Sequence, residues 1–439
     1  MVQTPFSSDR LGREGRWLGT GIYAAAHFGK SLFWYGGEVL FAYFLTDVAG
    51  LAPSAMALVI GLGFVMSAGV DRVLAQRLPM GLSSAQQAAR LQSLGAIVCS
   101  VMLIAFLATP YVAQDWRIAF ALLSGAGLRI AYSIYDLPQN ALMALATADD
   151  AARNRTASAR ISASGLATLA VALGVGPVLA AREDGTDDAL MLVLGVGVAI
   201  IAMASAWALR HLIVADGGGS VTAIIPPPAY GPKTSQRPVL RAIVPYLAIM
   251  AVMSFAPPLF SKLEPYFAVY VLSSVAWGGA IIVALALGLV IAQPLWFRLS
   301  LHRSRQPVLI VAALVQASGA LIFAFSAHSP SAGLLVGALL LGCGNGGLGM
   351  ALWAGFSDRV SRLGSGASGL AFSFFTATAK LALAGGILVL ATLVDPLIQG
   401  TEGPAALTLA MIAGPVLGSA AVVMLVLGFD LTRNPVEKA

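Results

Sequence analysis

Seven charged side chains lie inside long apolar stretches of the sequence. An ionisable group at the depth of a lipid bilayer is costly, so the residues that carry one usually face a polar cavity and serve a function. The seven are Lys30, Glu38, Arg129, Asp136, Lys262, Glu264 and Lys380. Lysine and arginine can hold anionic groups, and carboxylates can bind protons or cations. This set predicts a site for a polar solute within an apolar protein, and structural ion pairs between helices are the alternative.

Helical spacing relates two pairs of these charges. Arg129 and Asp136 are seven residues apart, close to two helical turns, so they share one face of a helix. Lys262 and Glu264 are two residues apart and would point to opposite sides of a regular helix. Pro265 removes a backbone donor and kinks the helix beside that pair. Both side chains could therefore still reach one cavity.

The composition indicates that lipid is the main solvent of this chain. Hydrophobic residues make up 58% and charged residues 10%, whereas a soluble domain carries about 25% charged residues. A membrane-spanning helix needs about 20 mostly apolar residues, and the sequence supplies twelve such stretches. The predicted spans are residues 17–46, 54–71, 91–109, 117–145, 161–181, 189–210, 242–271, 274–297, 307–327, 331–356, 366–394 and 405–429.

One long polar connection divides the twelve spans into two groups of six. It runs from residue 211 to residue 241 and contains three consecutive glycines and three consecutive prolines. We therefore predict an N-terminal bundle at 1–210, a cytoplasmic linker at 211–241 and a C-terminal bundle at 242–439. Repeated halves of this kind are a common plan of transporters.

The distribution of Lys and Arg predicts the orientation. Of the 26 Lys and Arg residues, twenty fall in tails and loops on one side of the predicted spans. Two, Arg117 and Arg182, fall on the other side, and four lie inside spans. Cytoplasmic loops collect these residues, so we expect both termini in the cytoplasm and the protein in the inner (plasma) membrane. The net charge of +6 then follows from topology, and no nucleic-acid partner is expected.

Other motif-like features indicate packing. Gly344, Gly346 and Gly349 spell GxGxxG, but their surroundings are apolar and no strand precedes them. Close helix packing through small residues is favoured over dinucleotide binding. Cys99 and Cys343 lie in apolar runs without paired spacing, which favours packing over disulfide or metal chemistry. We expect no catalytic residues, no metal site and no organic cofactor.

Short motifs along the whole chain resemble those of one transporter family. They are FGK at 28–30, YFLTDVAGL at 43–51, YSIYDLP at 132–138, Arg160, WAGFSD at 353–358 and Lys380. They are similar to motifs of the glycoside–pentoside–hexuronide:cation symporters, the melibiose permease-like branch of the major facilitator superfamily. The resemblance implies an all-α membrane protein with the major facilitator fold, in which twelve transmembrane helices form two six-helix bundles.

The resemblance also implies which residues bind solute. Asp136 would serve both solute and cation, and Lys30 and Arg160 would contact the solute. Asn140 stands where the family has a tryptophan that stacks on sugar. We group these four with Arg129, a charge that the family pattern does not contain, as the predicted solute-binding residues.

A second set is implied for the coupling cation. Asp71, Asp136 and Lys380 match family residues at or near the cation site, but Ser67 replaces the first helix-two aspartate. Ser31 replaces a second family carboxylate, the one beside the lysine that binds sugar. A sodium ion needs several hard oxygen ligands, whereas one carboxylate can carry a proton. The sequence therefore predicts H⁺ rather than Na⁺ as the coupling ion.

The remaining charges would line the same cavity. Glu38 lies nearer the end of its helix and could reach water, and Lys262 and Glu264 could form a structural pair. Among the seven apolar-region charges, the four positive side chains outnumber the three negative ones, which favours a solute that carries a carboxylate. Arg129 would form hydrogen bonds to that carboxylate. The alternative is that it only neutralises Asp136 or Glu264.

Three functions remain open from the sequence. The leading one is a secondary active symporter of a small polar organic solute, such as a sugar, glycoside, hexuronide or organic acid. The second is a transporter of the same fold that carries an amphiphile, such as a lysolipid or a drug-like molecule. The third is a receptor or assembly protein that transports nothing, although such a protein gains little from buried charges. In each case we expect a monomer in the lipid bilayer.

Overall fold

The structure, a computed structural model, describes residues 16–77, 84–183, 187–215, 236–364, 367–399, 403–429 and 431. Fourteen α-helices are assigned in these residues. They are α1 (Arg16–Tyr43), α2 (Pro53–Arg77), α3 (Ala85–Leu107), α4 (Gln114–Leu145), α5 (Asp150–Glu183), α6 (Asp187–Ala215), α7 (Gln236–Phe255), α8 (Pro258–Tyr270), α9 (Val275–Ile291), α10 (Gln293–His302), α11 (Arg305–Phe325), α12 (Ala332–Leu363), α13 (Ser368–Gln399) and α14 (Gly403–Gly428). The predicted all-α class is confirmed.

The helices account for the predicted spans. Ten helical segments of the described residues are long and apolar enough to cross a membrane. Two of them combine neighbouring helices: α7 with α8, and α9 with α10. Prolines lie at both junctions, Pro257 and Pro258 at the first and Pro294 at the second, and each lacks the backbone N–H that a continuous helix would use. The two remaining predicted spans correspond to α1 and α2, with 28 and 25 residues.

Local sequence signals explain two of the helix starts. The side chain of Ser84 accepts a hydrogen bond from the backbone N–H of Gln87 at 3.2 Å, where α3 begins. Ser274 does the same for Trp277 at 3.5 Å, where α9 begins. Each serine satisfies one of the N–H groups that have no partner within the helix.

The chain forms two compact units. Unit 1 comprises Met1–Ser235 and Val360–Phe374, and unit 2 comprises Gln236–Arg359 and Phe375–Ala439. Helices α1 to α6 belong to unit 1, and α7 to α11 with α14 belong to unit 2. Most of the predicted linker, residues 216–235, lies outside the described residues, and the predicted domain boundaries stay a prediction.

Aromatic side chains build the core of each unit. In unit 1 the rings of Phe41 and Phe44 lie 4.8 and 5.2 Å from the ring of Phe106. In unit 2 the rings of Phe260 and Phe267 lie 4.9 and 5.2 Å from that of Phe323. Such pairs stabilise the contact beyond the apolar area they bury.

Two glycines bring helices of unit 1 close together. A Cβ atom added at Gly95 of α3 would lie 2.5 Å from the backbone N of Tyr135 on α4. A Cβ atom added at Gly29 of α1 would lie 2.9 Å from the Cα of Ala202 on α6. Real side chains do not tolerate such distances, so only glycine permits these approaches. Both glycines neighbour polar residues of the candidate site, because Gly29 precedes Lys30 and Tyr135 precedes Asp136.

We expect Gly95→Ala to destabilise the protein by about 1–3 kcal/mol, because the added methyl group forces α3 and α4 apart. The matched control is Gly197→Ala on α6, where the added Cβ meets no described atom within 4 Å. That change should leave stability equal or slightly higher, since alanine favours helix more than glycine does. Melting temperatures of the two purified variants in detergent measure the difference. Equal melting temperatures would show that α3 and α4 do not need this approach.

Candidate functional site

A buried ion pair joins α1 to α4. The Nζ atom of Lys30 lies 2.7 Å from Oδ1 of Asp136, with the side chains 1% and 11% exposed. Both charges are thus withdrawn from water, which costs several kcal/mol per ion unless close partners compensate. The 2.7 Å contact provides one such partner for each.

Asn140 extends this pair to α5. It lies one turn after Asp136 on α4, so the two side chains share a face of the helix. Its Oδ1 atom accepts hydrogen bonds from Nζ of Lys30 at 2.8 Å and from the Nη1 atom of Arg160 at 2.7 Å. We call Lys30, Asp136, Asn140 and Arg160 the Lys30 cluster. Four of the five predicted solute-binding residues therefore lie together.

The Lys30 cluster contains two cations, one carboxylate and one buried hydrogen-bond donor without an acceptor in the described part of the chain. Two cations face one carboxylate, and all four residues are at most 8% exposed. The Nδ2 atom of Asn140 is buried and has no hydrogen-bond partner among the described residues. A buried donor without an acceptor costs about 1–3 kcal/mol. The cluster is therefore complementary to a ligand that brings negative charge and acceptor oxygens.

A second polar group, absent from the residues predicted above, lies beside this cluster. His27, one turn before Lys30, has its Nε2 atom 3.0 Å from Oγ of Ser164 on α5. Its Nδ1 atom lies 3.4 Å from Oε1 of Gln139, the residue before Asn140. The Nε2 atom of Gln139 is buried without a hydrogen-bond partner among the described residues. The three-residue spacing of His27 and Lys30 was the available signal, because it places both on one face of α1.

Arg129 lies elsewhere on α4. It is half-buried, and its aliphatic stem lies against α2, with Cγ 3.0 Å from where a Cβ atom at Gly63 would stand. The Lys30 cluster instead takes its second cation from Arg160. The predicted role of Arg129 in binding a carboxylate stays a prediction.

The other two predicted cation residues, Asp71 and Lys380, are also buried. Asp71 of α2 is 1% exposed and follows Ser67 by one turn. The Oγ atom of Ser67 lies 3.1 Å from Oγ of Ser133 on α4, so the neighbour of this hydroxyl is another hydroxyl. Lys380 of α13 is 5% exposed and belongs to unit 2. Their roles in coupling stay predictions.

The other predicted cavity charges differ in burial. The side chain of Glu38 lies outside the described residues. Lys262 is half-buried, whereas Glu264 is 4% exposed and contacts α9 at Gly278. The Oε1 atom of Glu264 is buried without a hydrogen-bond partner among the described residues.

Two glycines of the GxGxxG string, Gly344 and Gly346, serve helix packing, as predicted. A Cβ atom at Gly344 of α12 would collide with the backbone of Gln316 on α11. At Gly346 it would lie 2.6 Å from Nε2 of Gln293 on α10. Both contacts lie within unit 2, and they leave no space for a dinucleotide against these residues.

The sequence identifies the class to which this fold and site belong. Residues 22–433 match the MFS/sugar transport protein family, where MFS denotes the major facilitator superfamily. The chain belongs to this family. The narrower resemblance to melibiose permease-like symporters stays a prediction. No curated protein sequence matches the chain.

Solved structures of transporters share the fold. The Escherichia coli fucose:proton symporter FucP is 12% identical with a TM-score of 0.62, and the match covers 96% of this chain and all of FucP. A bacterial homologue of the iron transporter ferroportin is 13% identical with a TM-score of 0.67, over 92% of this chain and 98% of its own. The human organic anion transporter MFSD10 is 15% identical with a TM-score of 0.57, over 95% of this chain and all of its own. The predicted major facilitator fold is confirmed.

We expect Asp136→Asn to lower stability more than Lys30→Gln does. The first change leaves the cations Lys30 and Arg160 without a carboxylate in the cluster, whereas the second leaves one charge of each sign. Breaking a buried pair in the first way costs about 3–5 kcal/mol. The double variant removes one of the two cations and should melt at a higher temperature than Asp136→Asn alone.

Melting temperatures of the wild type, both single variants and the double variant test this order. Asp115→Asn, at an exposed position in the first turn of α4, is the control and should melt like the wild type. A double variant whose loss equals the sum of the two single losses would show that Lys30 and Asp136 do not stabilise each other.

Proposed function

We propose that this protein is a proton-coupled symporter of a small polar organic solute that carries a carboxylate, and that the Lys30 cluster binds this solute. The observation that carries the proposal is the charge of the cluster. Lys30 and Arg160 both donate to one oxygen of Asn140, with a single carboxylate, Asp136, beside them. A monoanionic solute would make the negative charges in the cluster equal in number to its two cations.

Hydrogen bonding favours the same class of solute. The buried Nδ2 atom of Asn140 and Nε2 atom of Gln139 are donors without partners among the described residues. Solute carboxylate or hydroxyl oxygens would satisfy them, and arginine recognises carboxylates with strong charge-assisted bonds. His27 and Ser164 add groups that can donate to or accept from hydroxyls. A uronate, which combines a carboxylate with several hydroxyls, uses all of these groups.

Asp136 links binding to release. A solute carboxylate competes with Asp136 for the ammonium group of Lys30, so solute binding loosens the ion pair that holds α1 to α4. When the solute leaves, the ion pair between Asp136 and Lys30 forms again. Without Asp136, the two cations would hold the solute with no competitor, and release would be slow.

Proton coupling fits this chain better than sodium coupling. Sodium requires several oxygen ligands. In the resemblance to melibiose permease-like symporters, Ser31 and Ser67 stand at positions of carboxylates and supply only hydroxyls. The proposal combines a coupled proton with an organic anion, and proteins of this fold are described with each. FucP is described as a fucose:proton symporter and MFSD10 as an organic anion transporter.

The other two functions receive less support from the site. An amphiphile needs an extended apolar surface for its tail, whereas the Lys30 cluster offers charge and unsatisfied donors. A receptor or assembly protein would gain nothing from the burial cost of two cations. We further propose that the protein works as a monomer. The loop charges support its placement in the inner membrane with both termini in the cytoplasm.

Uptake into proteoliposomes tests the proposal. The probes are D-glucuronate and other small sugar and organic acids, with D-glucose as the neutral match to glucuronate. An inward proton gradient should drive accumulation of at least one acid, and a sodium gradient at equal pH should not. Asp136→Asn, compared at equal amounts of folded protein, should bind the same acid and fail to accumulate it, whereas Asp115→Asn should behave like the wild type. Accumulation driven by sodium, or accumulation of the neutral sugar alone, would contradict the proposal.

A further inference from the structure

Glu264 is a carboxyl group in the apolar core of unit 2. It lies on α8 among residues of the hydrophobic cluster that includes Phe260, Leu263 and Phe267. The residue is 4% exposed, and its Oε1 atom has no hydrogen-bond partner among the described residues. This differs from Asp136, whose carboxylate lies 2.7 Å from an ammonium group.

Helix α9 packs against this carboxyl group at Gly278. A Cβ atom added at Gly278 would lie 2.5 Å from Oε1 of Glu264 and 2.6 Å from Cβ of Ala268. Only glycine leaves space for the carboxyl group here. The oxygen therefore lies between α8 and α9, beside Gly278. The sequence of α9 contains no cation that could pair with it.

The helices around Glu264 provide little compensating charge. The sequences of α9 and α14, which both pack against α8, contain no titratable residue. On α8 itself the titratable neighbours are Lys262, two residues away and half-buried, and two tyrosines, Tyr266 and Tyr270. The offset of two residues places Lys262 on the opposite side of the helix.

The remaining charged groups of the packed helices lie towards distant ends. On α12, which joins the cluster through Leu334, Ala338 and Leu341, they are Asp358, Arg359 and Arg362, all in the last six residues. On α13, Lys380 lies ten residues before Leu390, which packs against the cluster.

On α7 the titratable groups are Arg237, Arg241 and Tyr246, all in the first eleven residues, whereas α8 follows the last residue of α7. On α11, Arg305 is the first residue, whereas the rings of α8 contact Phe323 near its other end. An ionised Glu264 would thus be a buried charge without a close cation on α7, α9, α11 or α14.

We propose that Glu264 binds the proton that drives solute uptake. A carboxylate at this position carries an uncompensated charge in an apolar core, and that state is costly. Taking a proton from water forms an O–H bond and removes the charge, and returning the proton to water on the other side restores it. The inference rests on the proposed proton coupling and assigns the proton to unit 2, while Asp136 stays ionised beside Lys30 in unit 1.

Infrared spectroscopy of the purified protein in lipid tests proton binding without any solute. The wild type should show the C=O band of a protonated carboxylic acid, and the band should disappear as the pH rises. Glu264→Gln, which has nearly the same shape, should lack this band. Asp115→Asn, an exposed carboxylate, should keep it. A band that is unchanged in Glu264→Gln would overturn the proposal.

A pair of neighbouring glycines provides a second test that leaves the carboxyl group in place. Gly278→Ala adds a methyl group against Oε1 and should shift the frequency or the pH midpoint of the band. Gly279→Ala is the control, because its Cβ would meet no described atom within 4 Å. Equal spectra for the two variants would show that the band does not arise beside Gly278.

Transport measurements then test coupling. With the acid that the wild type accumulates as probe, Glu264→Gln should still exchange labelled for unlabelled solute at equal concentrations. Its accumulation of this solute in a proton gradient should be at least tenfold lower than that of the wild type. Full accumulation by Glu264→Gln would overturn the coupling role even if the infrared band is lost. A wild type that transports no probe would refute the proposed function, and the infrared result would still decide whether Glu264 holds a proton.

Discussion

The ammonium group of Lys30 contacts a carboxylate and a carboxamide oxygen at once, 2.7 Å from Asp136 and 2.8 Å from Asn140, with 1% of its side chain exposed. A cation cannot remain there without such partners, because the loss of hydration costs several kcal/mol. The approach of α1 to α4 is therefore constrained by this one group, and Arg160 of α5 donates to the same oxygen of Asn140. Gly29 and Gly95 permit the close packing of α1 on α6 and of α3 on α4 that keeps the helices at these positions.

The two units hold their acidic groups in opposite electrostatic conditions. In unit 1 the carboxylate of Asp136 has a cation beside it and a second cation, Arg160, one hydrogen bond further on through Asn140. In unit 2 the carboxyl group of Glu264 has an apolar environment and an oxygen without a partner among the described residues. The first environment suits recognition of an anion and the second suits binding of a proton. A symporter needs both functions, and here they are proposed for different residues.

The sequence predicted the helices and the buried charges better than the contacts among them. Apolar length marks a span whatever its neighbours are, and a charge in such a span is conspicuous. The sequence could not show which neighbouring helix each side chain of α4 contacts, because that depends on how α4 packs against α1 and α2. In the structure Asp136 contacts Lys30 of α1, and Arg129 lies against Gly63 of α2. His27 and Gln139 were missed because the prediction started from the Lys, Arg, Asp and Glu residues in apolar stretches. A kink at Pro265 was expected to let Lys262 and Glu264 reach one cavity, and the structure buries the two residues to different degrees.

The two cations that meet at Asn140 in the Lys30 cluster are proposed to select an acidic solute. Equilibrium binding of D-glucuronate and D-glucose to the purified protein tests it most directly, because the two probes differ by one carboxylate. The account predicts that the wild type prefers glucuronate by tenfold or more, which corresponds to about 1.4 kcal/mol. Arg160→Gln should abolish this preference, and Arg129→Gln should largely retain it. Equal binding of the two probes, or a preference that depends on Arg129 and not on Arg160, would contradict the account.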